Sequence, residues 1–379
     1  MSKHKLLVAA LLAVLAAACI AGSAAAKAPP GYSAAQFDAT AKAKFTTDTG
    51  AEPFRTSKTI PYWGSSFTDP TNGVTYPYTM VGTNPYGAPV TTTVPSEIIP
   101  FKFNFSDGTV MDGTADVSKT IASPVFSNYA HSLSGGDFTQ TGDAIYRAQW
   151  NKSSSGYHVR LGTPTVYPTQ TFDVPANQGF TFVNSRGVEI GLMSYSWFSS
   201  RLKNTINTLG IDPTTLPVIL THNTMLYIGT TDNCCIIGYH GATGSAHGNG
   251  AQSVQTYMFA AYSTPRTFGG FPTVGISDIH ALSHEVSEWY DDPFVNNFVN
   301  PWLTPTAPQY GCTAYLETGD PVVGIWFPLA GNTYDANAGG VWHPEDEVHF
   351  SWFARETPSR AYGGYYTYMN TFHEAAHGC

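Results

Sequence analysis

The segment 276–294 constrains this chain more than any other, because it concentrates ionisable side chains on one short helical pattern (ISDIHALSHEVSEWYDDPF). Four of these residues follow one another at i, i+4 steps: His280, His284, Glu288 and Asp292. Each step turns about 40° around a helix axis, so neighbours in the series share a face. The series ends before Pro293, which disfavours helical backbone at the preceding residue. The pattern predicts a helix over 276–291, with His284 and Glu288 as the pair best placed for one metal ion.

Charged residues are scarce in the rest of the chain, which favours a functional role for this cluster over chance. Only 12% of the 379 residues are charged, about half the share that is usual in soluble domains. The hydrophobic share of 42% is ordinary, so the chain can bury a core and is not of the disordered type. With 18 Lys and Arg against 27 Asp and Glu, it is poorly suited to bind nucleic acid or an anionic lipid surface. A solvated helix face is therefore a weaker explanation for the cluster than it is in a charge-rich protein.

His284, Glu285 and Glu288 form an HExxE sequence, which differs in one residue from the HExxH motif of zinc peptidases. In that motif, two ligands lie one helical turn apart, and the intervening Glu is the general base that activates the zinc-bound water. Carboxylate oxygen also binds zinc, so Glu288 is an acceptable second ligand. The sequence predicts a Zn²⁺ site with Glu285 as the base. In such an enzyme, we expect the strand over 256–262 to be the edge of the sheet that binds an extended substrate.

The sequence around this helix resembles a group of secreted bacterial proteins. HALSHEVSEWYDDPFVNN, followed by PQYGC and LETGDPVVG, matches their SHExxE…DP element and their later ExGD element. These proteins are distantly similar to the plant EXORDIUM, or phosphate-induced, proteins, in which a Cys-rich segment ending in His precedes the HExxE helix. Residues 233–240 (NCCIIGYH) occupy that place here. The plant resemblance covers about residues 217–321 and the bacterial one most of the mature chain, and together they imply a metallopeptidase-like fold.

A catalytic zinc site needs a third protein ligand beside water. The resemblance favours Glu317 or Asp320, in LETGDP, which a returning loop can bring back to the helix. The same residues are also typical of a turn without any metal. Three further residues are candidates for a third ligand or for a hydrogen-bonding partner behind the ligands: His280, Asp292 and His240.

Residues 1–26 have the pattern of a secretory leader. A basic start with Lys3 and Lys5 precedes an apolar stretch over 6–21, and three alanines at 24–26 provide a cleavage site. The stretch is almost long enough to span a bilayer, but its Ala-rich composition and the cleavage site favour removal. We therefore expect a protein that is secreted to the extracellular space or the periplasm, with no membrane attachment after cleavage.

Four cysteines follow the leader: Cys234, Cys235, Cys312 and Cys379. An even number in an exported chain favours disulfides, and four cysteines allow three pairings. A bond between adjacent cysteines strains the intervening peptide, so we expect Cys234 or Cys235 to pair with Cys312. A zinc–thiolate site is disfavoured because the chain has no CxxC spacing.

The remaining patterns predict an α+β, zincin-like protein with a mixed or antiparallel sheet packed on the HExxE helix. Residues 27–58 are small and polar, which indicates a flexible lead-in. Residues 59–210 predict a β-rich N-terminal lobe with two or three helices, and residues 211–379 a metal-site lobe with an aromatic-rich tail. In the second lobe, a Gly-rich loop is expected at 238–250 and a strand at 254–262.

These observations predict a secreted, zinc-dependent metallopeptidase-like hydrolase that acts on extracellular peptides or proteins. A serine-hydrolase nucleophile is not supported, because the sequence contains no GxSxG elbow. The alternative is a non-catalytic EXORDIUM-like protein whose aromatic tail binds cell-wall carbohydrate or a protein partner.

Overall fold

A computed structural model describes residues 32–51, 57–245, 253–268, 276–304, 306, 309 and 311–379. The predicted leader lies outside these residues. The helices in the described part are α1 Ala34–Thr40, α2 Val117–Ala122, α3 Thr141–Gln149, α4 Tyr195–Leu209, α5 His280–Asp291 and α6 Phe350–Phe353. None of the helices in these ranges combines the length and apolarity that a membrane crossing requires.

The strands are β1 Lys44–Phe45, β2 Tyr62–Thr68, β3 Thr75–Val81, β4 Thr91–Val94, β5 Ser96–Phe105, β6 Val110–Asp112, β7 Tyr129–His131, β8 Asp137–Thr139, β9 His158–Leu161, β10 Thr165–Val166, β11 Gln170–Val174, β12 Gly179–Val183, β13 Glu189–Ser194, β14 Leu216–His222, β15 Thr224–Tyr227, β16 Cys234–Ser245, β17 Ser253–Tyr262, β18 Phe298–Trp302, β19 Thr313–Tyr315, β20 Leu329–Ala330 and β21 Val341–Trp342.

The architecture is mixed α/β and mostly sheet, with a curled, half-barrel main sheet. The order of its strands is β10-β5-β14-β17-β16-β15-β13-β12, with β1 added to β16 and with β6 and β11 added to β5. Parallel pairs such as β5–β14 and β14–β17 stand beside antiparallel pairs such as β16–β17. In this order, the strands that follow residue 210 are flanked on both sides by strands that precede it, so the expected lobe boundary passes through one continuous sheet.

The HExxE segment forms helix α5, which packs against β16, β17, β3 and α3. It begins at His280, later than the predicted residue 276, because Asp278 has a positive φ of 45° that a helix cannot contain. Its last residue is Asp291, and Asp292 before Pro293 has left the helical region, with φ −140° and ψ 62°. Every residue of α5 is buried, so its ionisable side chains lie in the interior.

The strand expected to be the sheet edge is interior. Strand β17 lies between β14, which runs parallel to it, and β16, which pairs with it as the other arm of a hairpin. The residues expected as a loop from 238 onward belong to β16 as far as Ser245. Gly238 allows β16 to pack tightly on the helix, because a Cβ there would lie 2.5 Å from Oε1 of Glu285.

The described part of the predicted lead-in is docked rather than loose. Helix α1 buries Phe37 against Phe182 and Phe268, and strand β1 pairs in parallel with β16. Phe45, in β1, is only 3% exposed. The apolar side chains at these positions hold the segment on the sheet, although its overall composition is small and polar.

Two cysteine pairs have sulfur atoms at bonding distance: Cys234 with Cys235, and Cys312 with Cys379. The predicted pairing of Cys312 with the neighbouring cysteines is therefore wrong. Trp302 pairs both with Thr313 in the β18–β19 hairpin and with Gly378, so the residues next to these partners meet, with Cα atoms 6.1 Å apart. The adjacent cysteines instead begin β16, a strand of the main sheet.

The aromatic tail contributes to the core. Five tryptophans follow residue 288, and four of them are buried: Trp289, Trp302, Trp342 and Trp352. Their rings are therefore not available as a surface on which a sugar could stack.

Candidate metal centre

His284 lies at the centre of the site and is completely buried. Its Nδ1 atom is 2.5 Å from Oε2 of Glu345, and its Nε2 atom is 3.0 Å from Oε1 of Glu288. Burial by itself lowers the pKa of His284, but the two carboxylates outweigh burial and raise that pKa well above its usual value. Without a metal ion, both ring nitrogens therefore carry hydrogen; a metal ion would replace the Nε2 hydrogen that faces Glu288, while Nδ1 keeps donating to Glu345. That is the orientation in which a histidine binds a metal ion.

The loop after β19 returns to α5 and brings Asp320 to this pair. The Nε2 atom of His284 lies 3.9 Å from Oδ1 of Asp320, and ligand atoms of His284, Glu288 and Asp320 all lie within 4.8 Å of one another. The backbone N–H groups of Gly319 and Asp320 donate to Oε1 of Glu288, at 3.2 and 3.3 Å. A Cβ at Gly319 would overlap the His284 ring, so glycine is required for this close approach.

Glu317, the other predicted candidate, also approaches Glu288. It forms a second group of potential ligands with His240 and Glu288, again within 4.8 Å of one another. Both Glu317 oxygens are buried, and a side-chain hydrogen bond links the Glu317 and Glu288 carboxyl groups. Burial, reinforced by the charge of Glu288, raises the pKa of Glu317 well above its usual value. Both residues favoured from the sequence therefore reach the helix, but they belong to different groups of potential ligands, which share Glu288.

Glu285 follows the first ligand and points towards β16. Its Oε2 atom lies 3.2 Å from Nδ1 of His240, while its Oε1 atom faces Gly238 and makes no hydrogen bond. Burial raises the pKa of Glu285 well above its usual value, against the lowering effect of His284. A carboxylate in this position, one residue from a ligand and with one oxygen unpartnered, is available for proton transfer.

His240 connects the sheet to the helix. Its Nδ1 atom contacts Glu285, and its Nε2 atom lies 3.2 Å from the backbone oxygen of Asp292 and 3.8 Å from Glu317. Burial lowers the pKa of His240 despite the nearby charge of Glu288, so the neutral imidazole is favoured. Neutral imidazole is the form that binds metals.

His280 and Asp292, the two remaining candidates, lie outside the groups of potential ligands found among the described residues. His280 contacts Glu345 through Nε2 at 3.3 Å and the backbone oxygen of His343 through Nδ1 at 3.3 Å. The Asp292 carboxylate accepts from the N–H groups of Asn296 and Asn297 and so shapes the turn after the helix. His280 is therefore placed to support Glu345.

The sequence interpretation missed Glu345 and Glu347. Glu345 holds His284, contacts His280 and accepts from the Gly324 N–H at 2.7 Å. Glu345 and Glu347 also form a third group of potential ligands with His284. The available signal was the sequence PEDEVHF, which carries three consecutive acids in a chain where acids are rare.

The charge balance of the cluster favours a cation. Five glutamates are buried around three buried histidines: Glu285, Glu288, Glu317, Glu345 and Glu347. In the described part of the chain, no Lys or Arg forms an ion pair with any of these five. Buried carboxylates need protons or cations as partners. The residues therefore fit a metal ion in both donor type and charge.

We compared the chain with protein-family models, curated proteins and solved structures, and found no match in any of the three.

Proposed function

We propose that the protein is a zinc-dependent hydrolase of peptide bonds, with Zn²⁺ held by His284, Glu288 and Asp320. The observation that carries the proposal is that these three ligand atoms lie within 4.8 Å of one another, with Glu285 directly after His284 in the chain. His, Glu and Asp side chains form a three-ligand site of the catalytic type, which keeps a position open. A zincin-like arrangement is supported by the packing of α5 on β16 and β17.

When bound, zinc acidifies a water molecule and polarises the substrate carbonyl. The chain's own residues complete the reaction. Glu285 accepts a proton from the attacking water and donates it to the amine nitrogen that leaves when the peptide C–N bond breaks. Glu345 holds the His284 ring through Nδ1, and the N–H groups of Gly319 and Asp320 fix the Glu288 carboxylate.

The test is metal analysis and peptide hydrolysis with the purified mature protein. We expect close to stoichiometric zinc, with peptide hydrolysis that a chelator abolishes. The variant Glu285→Gln should keep its zinc and lose hydrolysis, while His284→Ala should lose both. A Glu285→Gln protein as active as the parent would refute the assignment of the base.

The alternative, a non-catalytic EXORDIUM-like protein that binds carbohydrate or a partner, has less support because most tryptophans of the aromatic tail are buried. Absence of zinc, together with a melting temperature that a chelator does not change, would favour this alternative.

A further inference from the structure

Residues 42–51 lie along the side of β16 that β17 does not occupy. Strand β1 runs parallel to β16, with Phe45 opposite Gly238. The Asp48 N–H donates to the His240 oxygen at 2.9 Å, and the Ala242 N–H donates to the Thr49 oxygen at 2.8 Å. The segment thus adds a strand to an open sheet edge, as extended peptides do when they bind proteins.

This added strand covers the candidate metal centre. The Phe45 ring stacks on the His284 ring, with centroids 3.5 Å apart and planes 13° apart. The strand also runs beside Gly238, the position that the free oxygen of Glu285 faces. His284 and Glu285 have no solvent exposure. Movement of the segment would uncover the face of the His284 ring on which Phe45 stacks.

Asp48 anchors the segment in a polar socket built from the body of the protein. Its carboxylate accepts from the Tyr257 hydroxyl at 2.8 Å and from the Ser199 hydroxyl at 2.9 Å. Lys203 completes the socket, with Nζ 3.0 Å from Oδ2. Although burial opposes the charge, the hydrogen bond from Tyr257 and the ammonium group of Lys203 lower the pKa of Asp48. Two hydroxyls and an ammonium group converging on one carboxylate form a recognition site for an acidic side chain.

We propose that residues 42–51 occupy the substrate cleft, and that the substrate is an extended polypeptide that replaces them on the edge of β16. Its recognition elements are an aromatic side chain over His284 and a carboxylate, three residues further along, in the socket of Lys203, Ser199 and Tyr257. The assignment as substrate rests on the proposed hydrolase function. In the intact chain, the segment then competes with the substrate, and release of the segment opens the site.

The first test measures binding of a fluorescently labelled peptide with the sequence of residues 42–51. The receptor is the full chain with Phe45→Ala and Asp48→Ala, which weaken its own segment, and Thr47→Ala serves as the matched control. We expect the peptide to bind the double variant and to bind the control poorly, because an intact segment competes intramolecularly. Replacing the aspartate of the peptide with alanine should weaken binding about tenfold. Equal binding of a shuffled peptide would overturn the proposal.

A second measurement leaves the segment sequence intact and uses Lys203→Ala, a change at a partly exposed side chain of α4. Loss of the anchor should increase the release of the segment, so hydrogen exchange at the Ala242 amide should become faster, while exchange in β14 stays unchanged. Unchanged exchange at Ala242 would contradict the proposal even if the double variant failed to fold.

Peptide hydrolysis separates this inference from the proposed function. We expect the double variant to cleave peptides with an aromatic residue three positions before an acid faster than the Thr47→Ala control does. Peptide binding that depends on the aspartate, without any hydrolysis, would refute the proposed hydrolase function. It would still support a peptide-binding cleft at the position of residues 42–51. Hydrolysis with no preference for these two side chains would support the function and overturn the cleft assignment.

Discussion

Phe45 and His284 lie face to face, with ring centroids 3.5 Å apart, although they are far apart in the sequence. The contact joins a segment expected to be loose to the residue that the sequence marked most clearly as a metal ligand. Its location explains why the site is closed: the ring covers one face of His284, and the carboxylates of Glu288 and Glu345 lie at its two nitrogens.

Asp320 and Glu317 differ in their place around Glu288, so their substitution should have unequal effects on zinc binding. We expect Asp320→Asn to weaken zinc binding about a hundredfold or more, because it removes a charged ligand beside His284. Glu317→Gln should have a smaller effect. Titration against a competing chelator at constant pH measures both. The opposite ranking would move the metal to the group of His240, Glu288 and Glu317.

Glu345 should act on the metal through His284. Replacing it by Gln removes the charged partner of Nδ1, and the loss of such a partner commonly weakens metal binding about 10- to 100-fold. Glu374→Gln is the matched control, because that side chain is 75% exposed. Isothermal titration with zinc distinguishes the two variants. If both bind zinc as the parent does, Glu345 does not support the ligand.

Cys312→Ser should destabilise the chain without affecting the site directly. The bond to Cys379 spans a sequence separation of 67 residues, for which the loss of a cross-link is expected to cost about 4 kcal/mol. The measurement is the unfolding midpoint of the parent and the variant, with and without reductant. Peptide mapping without reduction should recover Cys312 joined to Cys379. A peptide that joins Cys312 to Cys234 or Cys235 would contradict the structure.

His131 should make stability depend on pH well away from the candidate metal centre. Burial lowers its pKa from 6.5 to about 4 in the folded chain, although Nε2 lies 3.2 Å from the Thr139 oxygen. Between pH 6.5 and about pH 4, the unfolded chain binds the proton of His131 and the folded chain does not. The free energy of unfolding is therefore unaffected by this histidine above pH 6.5 and decreases as the pH falls below that value.

The variant His131→Gln keeps a donor for Thr139 but cannot titrate in this range. From about pH 7 to about pH 4.5, we expect the parent to lose about 2 to 3 kcal/mol more unfolding free energy than the variant does. Urea denaturation at each pH measures the difference. His377→Gln, at a side chain 74% exposed, should behave as the parent does. Parallel curves for the parent and His131→Gln would show that His131 does not titrate as described.

Local spacing determined one part of the site. His284 and Glu288 are separated by one helical turn, so α5 alone brings their side chains to 3.0 Å, and Pro293 ends that helix. The strand over β17 was also recognisable from its run of apolar residues. These features depend on neighbours within a few positions, which is the range over which sequence patterns carry structural information.

Tertiary structure alone decided the rest. Glu345 reaches His284, and Phe45 covers it, because distant segments converge on α5, and no local pattern encodes such contacts. The same reason applies to Cys312, whose partner is set by the pairing of Trp302 with Gly378. The sequence by itself determined that this charge-poor chain has a cluster of ionisable residues on one helix, α5. The packing of that helix against the sheet decided which other acids join it and which segment closes the site, because burial and cross-strand pairing depend on the whole fold.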